Sequence, residues 1–232
     1  MLSFDQIAQE IKDKSFDKIY FLCGEEIYFI DVIEKLILQN SLAEHEKDFN
    51  LDVFYAKDTD PQNIINAAQQ YPSFAERRVV IVREAQHYKT KDWEYLEKYF
   101  LNAADSTILI FEHKHKTIDK RTKVSKSIQK HSCFFESNKL NDVEVPKFII
   151  ETAKQKKIKV KDSIAQLLAE NIGNDLSHIV LELDKVATIL PENSELTATD
   201  VEKWIGISKE YNITEMNKAV IHHDFKKALK II

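Results

Sequence analysis

Tyr20-Phe21-Leu22-Cys23-Gly24-Glu25-Glu26-Ile27-Tyr28-Phe29-Ile30 reads as a buried strand that passes through one glycine into a helix. An α/β nucleotide-binding domain holds its phosphates at such a junction, on the N–H groups at the carboxyl end of the first strand and the start of the next helix. Here Gly24 is followed by two carboxylates and by no Lys-Ser or Lys-Thr pair. The 232 residues contain three glycines, Gly24, Gly173 and Gly206, each isolated from the others. A phosphate cradle needs clustered glycines, because side chains keep the backbone away from the phosphate. Neither a working Walker A loop nor a dinucleotide fingerprint is therefore expected. Glu25 and Glu26 suit the positive end of a helix dipole, worth about 0.3–1 kcal/mol each. As an acid/base pair they are poorly placed, since adjacent residues at a helix start point apart.

Outward from this junction, four more short runs are rich in β-branched or aromatic residues. Together they predict strands over Lys18–Cys23, Leu51–Tyr55, Arg78–Arg83, Ser106–Phe111 and Cys133–Glu136, with helical stretches between, the pattern of a mostly parallel sheet covered on both faces. Val79–Val82 and Ile108–Phe111 are continuously apolar and read as central strands. The first of these ends in Arg83-Glu84, whereas a Walker B strand ends in an acid that holds Mg²⁺. The layout is that of a nucleotide-binding domain with both catalytic elements missing. Asp60-Pro61 predicts a helix over 61–70, closed by the effect of Pro72 on Tyr71. Trp93, Leu96 and Phe100 share one helical face and belong to the core.

From Asn141 onward helical periodicity replaces strand signals. Asp142 is expected to cap a helix through about Lys156, Asp162 one through Asn171, Asp175 one through Leu190 and Thr199 one through Ile205. Glu210–Thr214 reads as a join. A last periodic stretch, Glu215–Ile232, stops in mid-pattern, as expected for a fragment of a longer protein or for helices that need a partner.

Composition narrows the function further. Hydrophobic residues make up 44% and charged residues 31%, as in ordinary globular proteins. The net charge of −5 supplies no global field for nucleic acid, so any DNA contact must be local. Cys23 and Cys133 lie far apart inside apolar runs, which fits a reducing cytoplasm and offers no CxxC metal site. No stretch approaches 18 uninterrupted apolar residues, so no membrane span is expected, and the first residues carry no export signal. G-x-S-x-G and H-E-x-x-H are absent, and the His113/His115 and His222/His223 pairs lack ligand-spaced companions.

Two segments remain as candidate contact sites. Tyr71-Pro72-Ser73-Phe74-Ala75-Glu76-Arg77-Arg78 joins a helix to a central strand. Its Phe74 must either fold back into the core or project as an anchor for a partner's pocket. The segment His113–His131 carries seven Lys and Arg residues against Asp119 alone. It reads either as a phosphate-contacting patch or as the solvated face of a helix whose buried stripe is Val124 and Ile128; no aromatics alternate with the charges as on a single-strand stacking surface.

The run Phe21–Asp31, the run Tyr71–Ala85, Ile118-Asp119-Lys120-Arg121, Asn174-Asp175-Leu176 with Glu182-Leu183-Asp184-Lys185, and Phe225-Lys226-Lys227-Ala228-Leu229 together resemble the bacterial DNA polymerase III delta subunit over the whole chain. The resemblance implies an α/β, degenerate AAA+ (P-loop-like) parallel-sheet domain over 1–140, a small all-helical lid domain over 141–209, and the truncated start of a helical collar over 210–232. It implies a DNA replication protein, the clamp-loader subunit that binds and opens the sliding clamp for loading onto primed DNA. As a non-catalytic part of the DNA-directed DNA polymerase holoenzyme, such a subunit hydrolyses no ATP and needs no cofactor or metal. The implied partners are the sliding clamp (beta subunit), the gamma/tau and delta prime subunits, and primer-template DNA within the complex, with no membrane.

The family's clamp-binding element, an apolar residue followed by Phe, falls on Tyr71, Pro72, Ser73 and Phe74, with Ser73 standing where leucine or methionine is usual. Gly24, Glu25 and Glu26 fall at the degenerate phosphate-loop position, and Lys120, Arg121 and Lys123 at a possible DNA or subunit contact. Two rivals fare worse. A stand-alone AAA+ ATPase would need a P-loop lysine, and a sequence-specific DNA-binding protein would need an Arg/Asn/Gln-rich recognition helix.

Overall fold

The computed structural model describes residues 3–205 and 220–221, and the chain divides into two compact units between Asn138 and Lys139. The first unit runs α1 (Phe4–Lys12), β1 (Ile19–Gly24), α2 (Ile27–Ser41), α3 (Lys47–Asn50), β2 (Leu51–Tyr55), α4 (Pro61–Ala68), β3 (Arg78–Arg83), α5 (Thr90–Phe100), β4 (Thr107–Lys114), α6 (Lys123–His131) and β5 (Cys133–Ser137). Its strands form one sheet in the order β2-β3-β4-β1-β5, with every pairing parallel. β3 and β4 lie inside the sheet, as their unbroken apolar runs predict.

Alternation along the strands sorts the core into two layers. Tyr20, Leu22, Val79, Ile81, Ile108 and Ile110 face α1 and α2, where they meet Ile7, Ile11, Ile30, Ile33 and Ile37. Phe21, Val80, Val82, Leu109 and Phe111 face the other way, against Ile64 and Ala68 of α4, Trp93, Leu96 and Phe100 of α5, and Ile128 of α6. Trp93 stands edge-on to both Phe21 and Phe111. Cys23 and Cys133 are buried free thiols on opposite layers.

Several boundaries differ from the sequence reading: β1 is shifted by one residue to Ile19–Gly24, β4 starts at Thr107, and β5 runs on to Ser137. β4 continues three residues past Phe111 because Glu112, His113 and Lys114 stay in register with Leu22, Cys23 and Gly24 of β1; backbone pairing extends a strand regardless of side-chain polarity. α4 ends at Ala68 rather than residue 70, its Ala68 carbonyl accepting from the Tyr99 hydroxyl (3.1 Å). Asp60 caps it at Gln62 N–H (2.8 Å), with Pro61 in the first turn.

The second unit is helical: α7 (Glu144–Gln155), α8 (Asp162–Ile172), α9 (Leu176–Ile189) and α10 (Ala198–Asp200), the last running into a π-helical turn over Val201–Ile205. Its core gathers Val145, Ile149, Ala165, Leu168, Ile179, Leu183 and Leu196, all buried.

Three caps need correction. Asn141, not Asp142, caps α7, its Oδ1 accepting from Val143 and Glu144 N–H while Glu144 returns a carboxylate to Asn141 N–H (2.8 Å). Asp162 is the first residue of α8 rather than its cap, where a carboxylate acts through the dipole alone. Thr197, not Thr199, caps α10 in a reciprocal pair with Asp200, because buried Leu196, bonded to the Lys159 carbonyl, holds the chain just before it. Asp175 caps α9 as expected. The join at 210–214, the helix over 215–232 and the collar region over 210–232 lie outside the described residues, apart from Val220 and Ile221, which are helical and exposed. Among the described residues no helix is long and apolar enough to cross a membrane.

Candidate functional site

At the carboxyl end of β1, where strand order reverses between β4 and β5, only Glu25 and Glu26 separate Gly24 from α2. Gly24 has φ 136°, and a Cβ there would sit 2.0 Å from the Ser137 carbonyl oxygen. Its N–H donates to the Lys116 carbonyl (3.1 Å), and Glu26 N–H donates to Ser137 O (3.2 Å). The Glu26 carboxylate, itself buried, caps α2 by accepting from Tyr28 N–H (2.9 Å). The helix end that would hold a phosphate is thus occupied by the protein's own carbonyl and carboxylate, and no loop spans the junction.

Beneath α2, ion pairs fill the space beside the ends of β3 and β4. Arg83 lies 2.8 Å from Glu34 and 3.8 Å from Glu112, and Lys114 lies 2.6 Å from Asp31 and 3.0 Å from Glu112. Glu112 is fully buried, and neither of its oxygens receives an aligned hydrogen bond. Burial, with Glu34 beside it, pushes its carboxyl up to about 8. Burial works against the Glu34 carboxylate too, but the protonated Glu112 and the Arg83 guanidinium outweigh it and hold Glu34 below its ordinary value. Among the described residues no group of His, Cys, Asp and Glu is placed to hold a metal ion.

At the opposite end of the parallel sheet, ahead of the first residue of β3, the loop from Tyr71 to Arg77 carries Phe74. Its side chain is exposed in full (105%) and its backbone is left-handed, φ 56°. Tyr71 is exposed beside it (87%), Pro72 is half-buried, and Ala75 turns inward to the α1/α2 layer. The open choice between core and projection falls to projection, because the left-handed residue turns the chain so that Ala75, rather than Phe74, packs inward.

Two buried side chains brace this loop. Asn50, the last residue of α3, accepts from Ser73 N–H (2.6 Å) and donates to Ser73 O and Glu46 O (2.9 Å each). Arg78 donates to Asp52 (3.0 Å) and to the Phe49 carbonyl (3.2 Å). Sequence reasoning missed Asn50 and the Glu34–Glu112 pair. Asn50 carries no local signal, since its partner is 23 residues away; Glu112, a charge directly after four apolar strand residues, was visible as an anomaly.

The basic segment is partly neutralised. Lys114 joins the buried pairs above, Lys120 pairs with Glu136, and Arg121 grips Asp119 through two bonds (2.9 and 3.0 Å). That grip holds the Asp119 carboxyl down to about 2. His113 is buried, and burial lowers its pKa; its Nδ1 lies 3.0 Å from the Lys116 carbonyl. On α6, capped by Thr122 at Ser125 N–H (3.1 Å), Ile128 is buried and Val124 packs against the core, as the periodicity predicts. Lys123, Lys126 and Lys130 are exposed on its outer side and, among the described residues, form no ion pair. Gly24, Glu26, Lys120 and Glu136 therefore cluster at one end of the sheet, and Tyr71, Pro72, Ser73 and Phe74 at the other.

A parallel α/β sheet with its phosphate position closed, followed by a separate helical unit, is a degenerate P-loop-like architecture. The family model for the DNA polymerase III delta subunit matches residues 20–138, and the chain belongs to that family. It is 27% identical over 97% of its length to the DNA polymerase III subunit delta of Bacillus subtilis, and 22% identical over 93% to the probable subunit delta of Aquifex aeolicus. It spans 67% and 63% of those two relatives. Among solved structures, the Bacillus subtilis DNA clamp loader delta protein superimposes with a TM-score of 0.82 at 27% identity, over 99% of this chain and 70% of that one.

Proposed function

We propose that this protein binds the sliding clamp through Phe74, with Tyr71, Pro72 and Ser73 around it, and opens the ring for loading onto primed DNA without hydrolysing ATP. The observation that carries this reading is the fully exposed Phe74 on a loop braced from inside. A large aromatic side chain left wholly in water gains its burial from a partner's apolar pocket, and such residues dominate interface energetics. Opening requires that the clamp geometry stabilised around Phe74 be one the closed ring does not adopt, because a ligand shifts an equilibrium only through differential affinity.

The closed β1–α2 junction supports a role without nucleotide chemistry and speaks against a stand-alone ATPase. Other clamp-loader subunits, gamma/tau and delta prime, are the proposed assembly partners in a cytoplasmic replication complex. Primer-template DNA is the proposed ligand for the basic face. There Lys123, with Lys126 and Lys130, has its charge free for phosphate, while Lys120 and Arg121 are engaged by Glu136 and Asp119.

Calorimetry of this chain with the sliding clamp of the same bacterium tests the reading. Phe74→Ala is expected to weaken binding by about 2 kcal/mol or more, the scale of an interface hot spot. Undiminished binding by the variant would remove Phe74 as the anchor.

A further inference from the structure

We propose that Asn50 is the positioning residue that holds Phe74 ready for its partner. The proposal rests on the reading of Phe74 as the clamp anchor. An aromatic with its whole surface in water takes no orientation from packing, so its direction must come from the backbone beside it. That backbone is unusual: Phe74 sits at φ 56°, a conformation that non-glycine residues adopt only when their surroundings impose it.

The imposing contact is at the preceding residue. Both backbone polar groups of Ser73 are bonded to the single amide of Asn50, which is fully buried. Only one orientation of that amide fits: its oxygen must face Ser73 N–H, and its NH₂ must face the Ser73 carbonyl. The second NH₂ hydrogen goes to Glu46 O, so the amide is also tied to the chain just ahead of α3. Ser73 is thereby held by two bonds to a residue whose own position is fixed by burial and by the start of β2. The Ser73 side chain itself is exposed and takes no part in the pin, so what matters at this position is the backbone. The ordering cost of the loop is met on folding instead of on binding, and preorganisation of this kind raises affinity without a new intermolecular contact.

The test compares Asn50→Ala, Asn50→Asp and Phe74→Ala by calorimetry with the sliding clamp, beside amide hydrogen exchange at Ser73 and thermal melts of the same proteins. In the wild type the Ser73 amide should exchange at least tenfold more slowly than in Asn50→Ala. Clamp affinity should fall about tenfold in Asn50→Ala although Phe74 is intact. Asn50→Asp, which keeps the acceptor for Ser73 N–H and loses both donations, should fall between the two, and it carries the test if Asn50→Ala does not fold.

A purely structural role would lower the melting temperature while affinity, measured well below the melt, stayed unchanged. That result, or an unprotected Ser73 amide in the wild type, overturns the proposal. If Phe74→Ala binds as well as wild type, the anchor reading fails instead. If Phe74→Ala weakens binding and the Asn50 variants do not, the positioning role alone fails.

Discussion

Glu112 is a carboxyl group buried near the carboxyl end of β4, with Arg83 and Lys114 near it but neither aligned to bond it. Burial makes its charged form costly, and the Glu34 carboxylate beside it adds to that cost, so Glu112 keeps its proton to about pH 8. In the unfolded chain the same group loses its proton near 4.5. Between these values the folded state binds more protons than the unfolded state, and stability must fall as pH rises across the window. Glu34, held below its ordinary value, contributes with the opposite sign only at lower pH. Denaturant midpoints taken at pH 5 and pH 8 should therefore drop for the wild type and drop less for Glu112→Gln, which should also be the more stable of the two at pH 8. Parallel curves for the two proteins would show that Glu112 is ionised in the fold. At this scale the sequence carried identity without orientation. Phe74 was legible as a candidate anchor, but its exposure depended on a left-handed turn and on a bond from a residue in another element.

At the scale of elements, α6 illustrates how a charge run divides once folded. Its sequence has no acid, and among the described residues none pairs with Lys123, Lys126 or Lys130, whereas Glu136 on β5 and Asp119 in the preceding loop take up Lys120 and Arg121. If the free face meets the phosphate backbone of primer-template DNA, each lysine releases about one condensed counterion. Replacing Lys123, Lys126 and Lys130 with alanine should then flatten the plot of log affinity against log salt by about 2–3 units. An unchanged slope would leave the face as solvated surface. Among the strands, Leu51–Tyr55 and Arg78–Arg83 have the bounds their composition predicts, because an apolar β-branched run flanked by polar residues is the same signal in sequence and in structure. β4 was longer than its apolar run because pairing with β1 is a property of the neighbour.

The whole molecule divides between Asn138 and Lys139. The first unit contains a complete sheet with an apolar layer on each face, and the Phe74 loop with its brace from Asn50 lies wholly within it. A chain of residues 1–138 should therefore unfold in one cooperative transition and bind the sliding clamp within about threefold of the full chain, roughly 0.6 kcal/mol. Loss of binding with the fold intact, seen by circular dichroism, would assign part of the contact to the helical unit.

Hydrophobic patterning is local and repeats with the period of the element, so the sequence by itself determined the α/β class, the five strands, the helices described between residues 144 and 205 and the lack of a glycine-rich phosphate cradle. Caps were half legible. Asp60 and Asp175 act where their position suggests, but the choice between Asn141 and Asp142, or between Thr197 and Thr199, depends on which residue the core holds in place. Only the tertiary structure decided that the β1–α2 junction is closed by Ser137 and Lys116, that Glu34 and Glu112 meet under α2, and that Asn50 grips Ser73. Each of these joins groups far apart in the chain. A hydrogen bond or an ion pair leaves no periodic trace in either partner, so it becomes visible only when the strand order brings the two together.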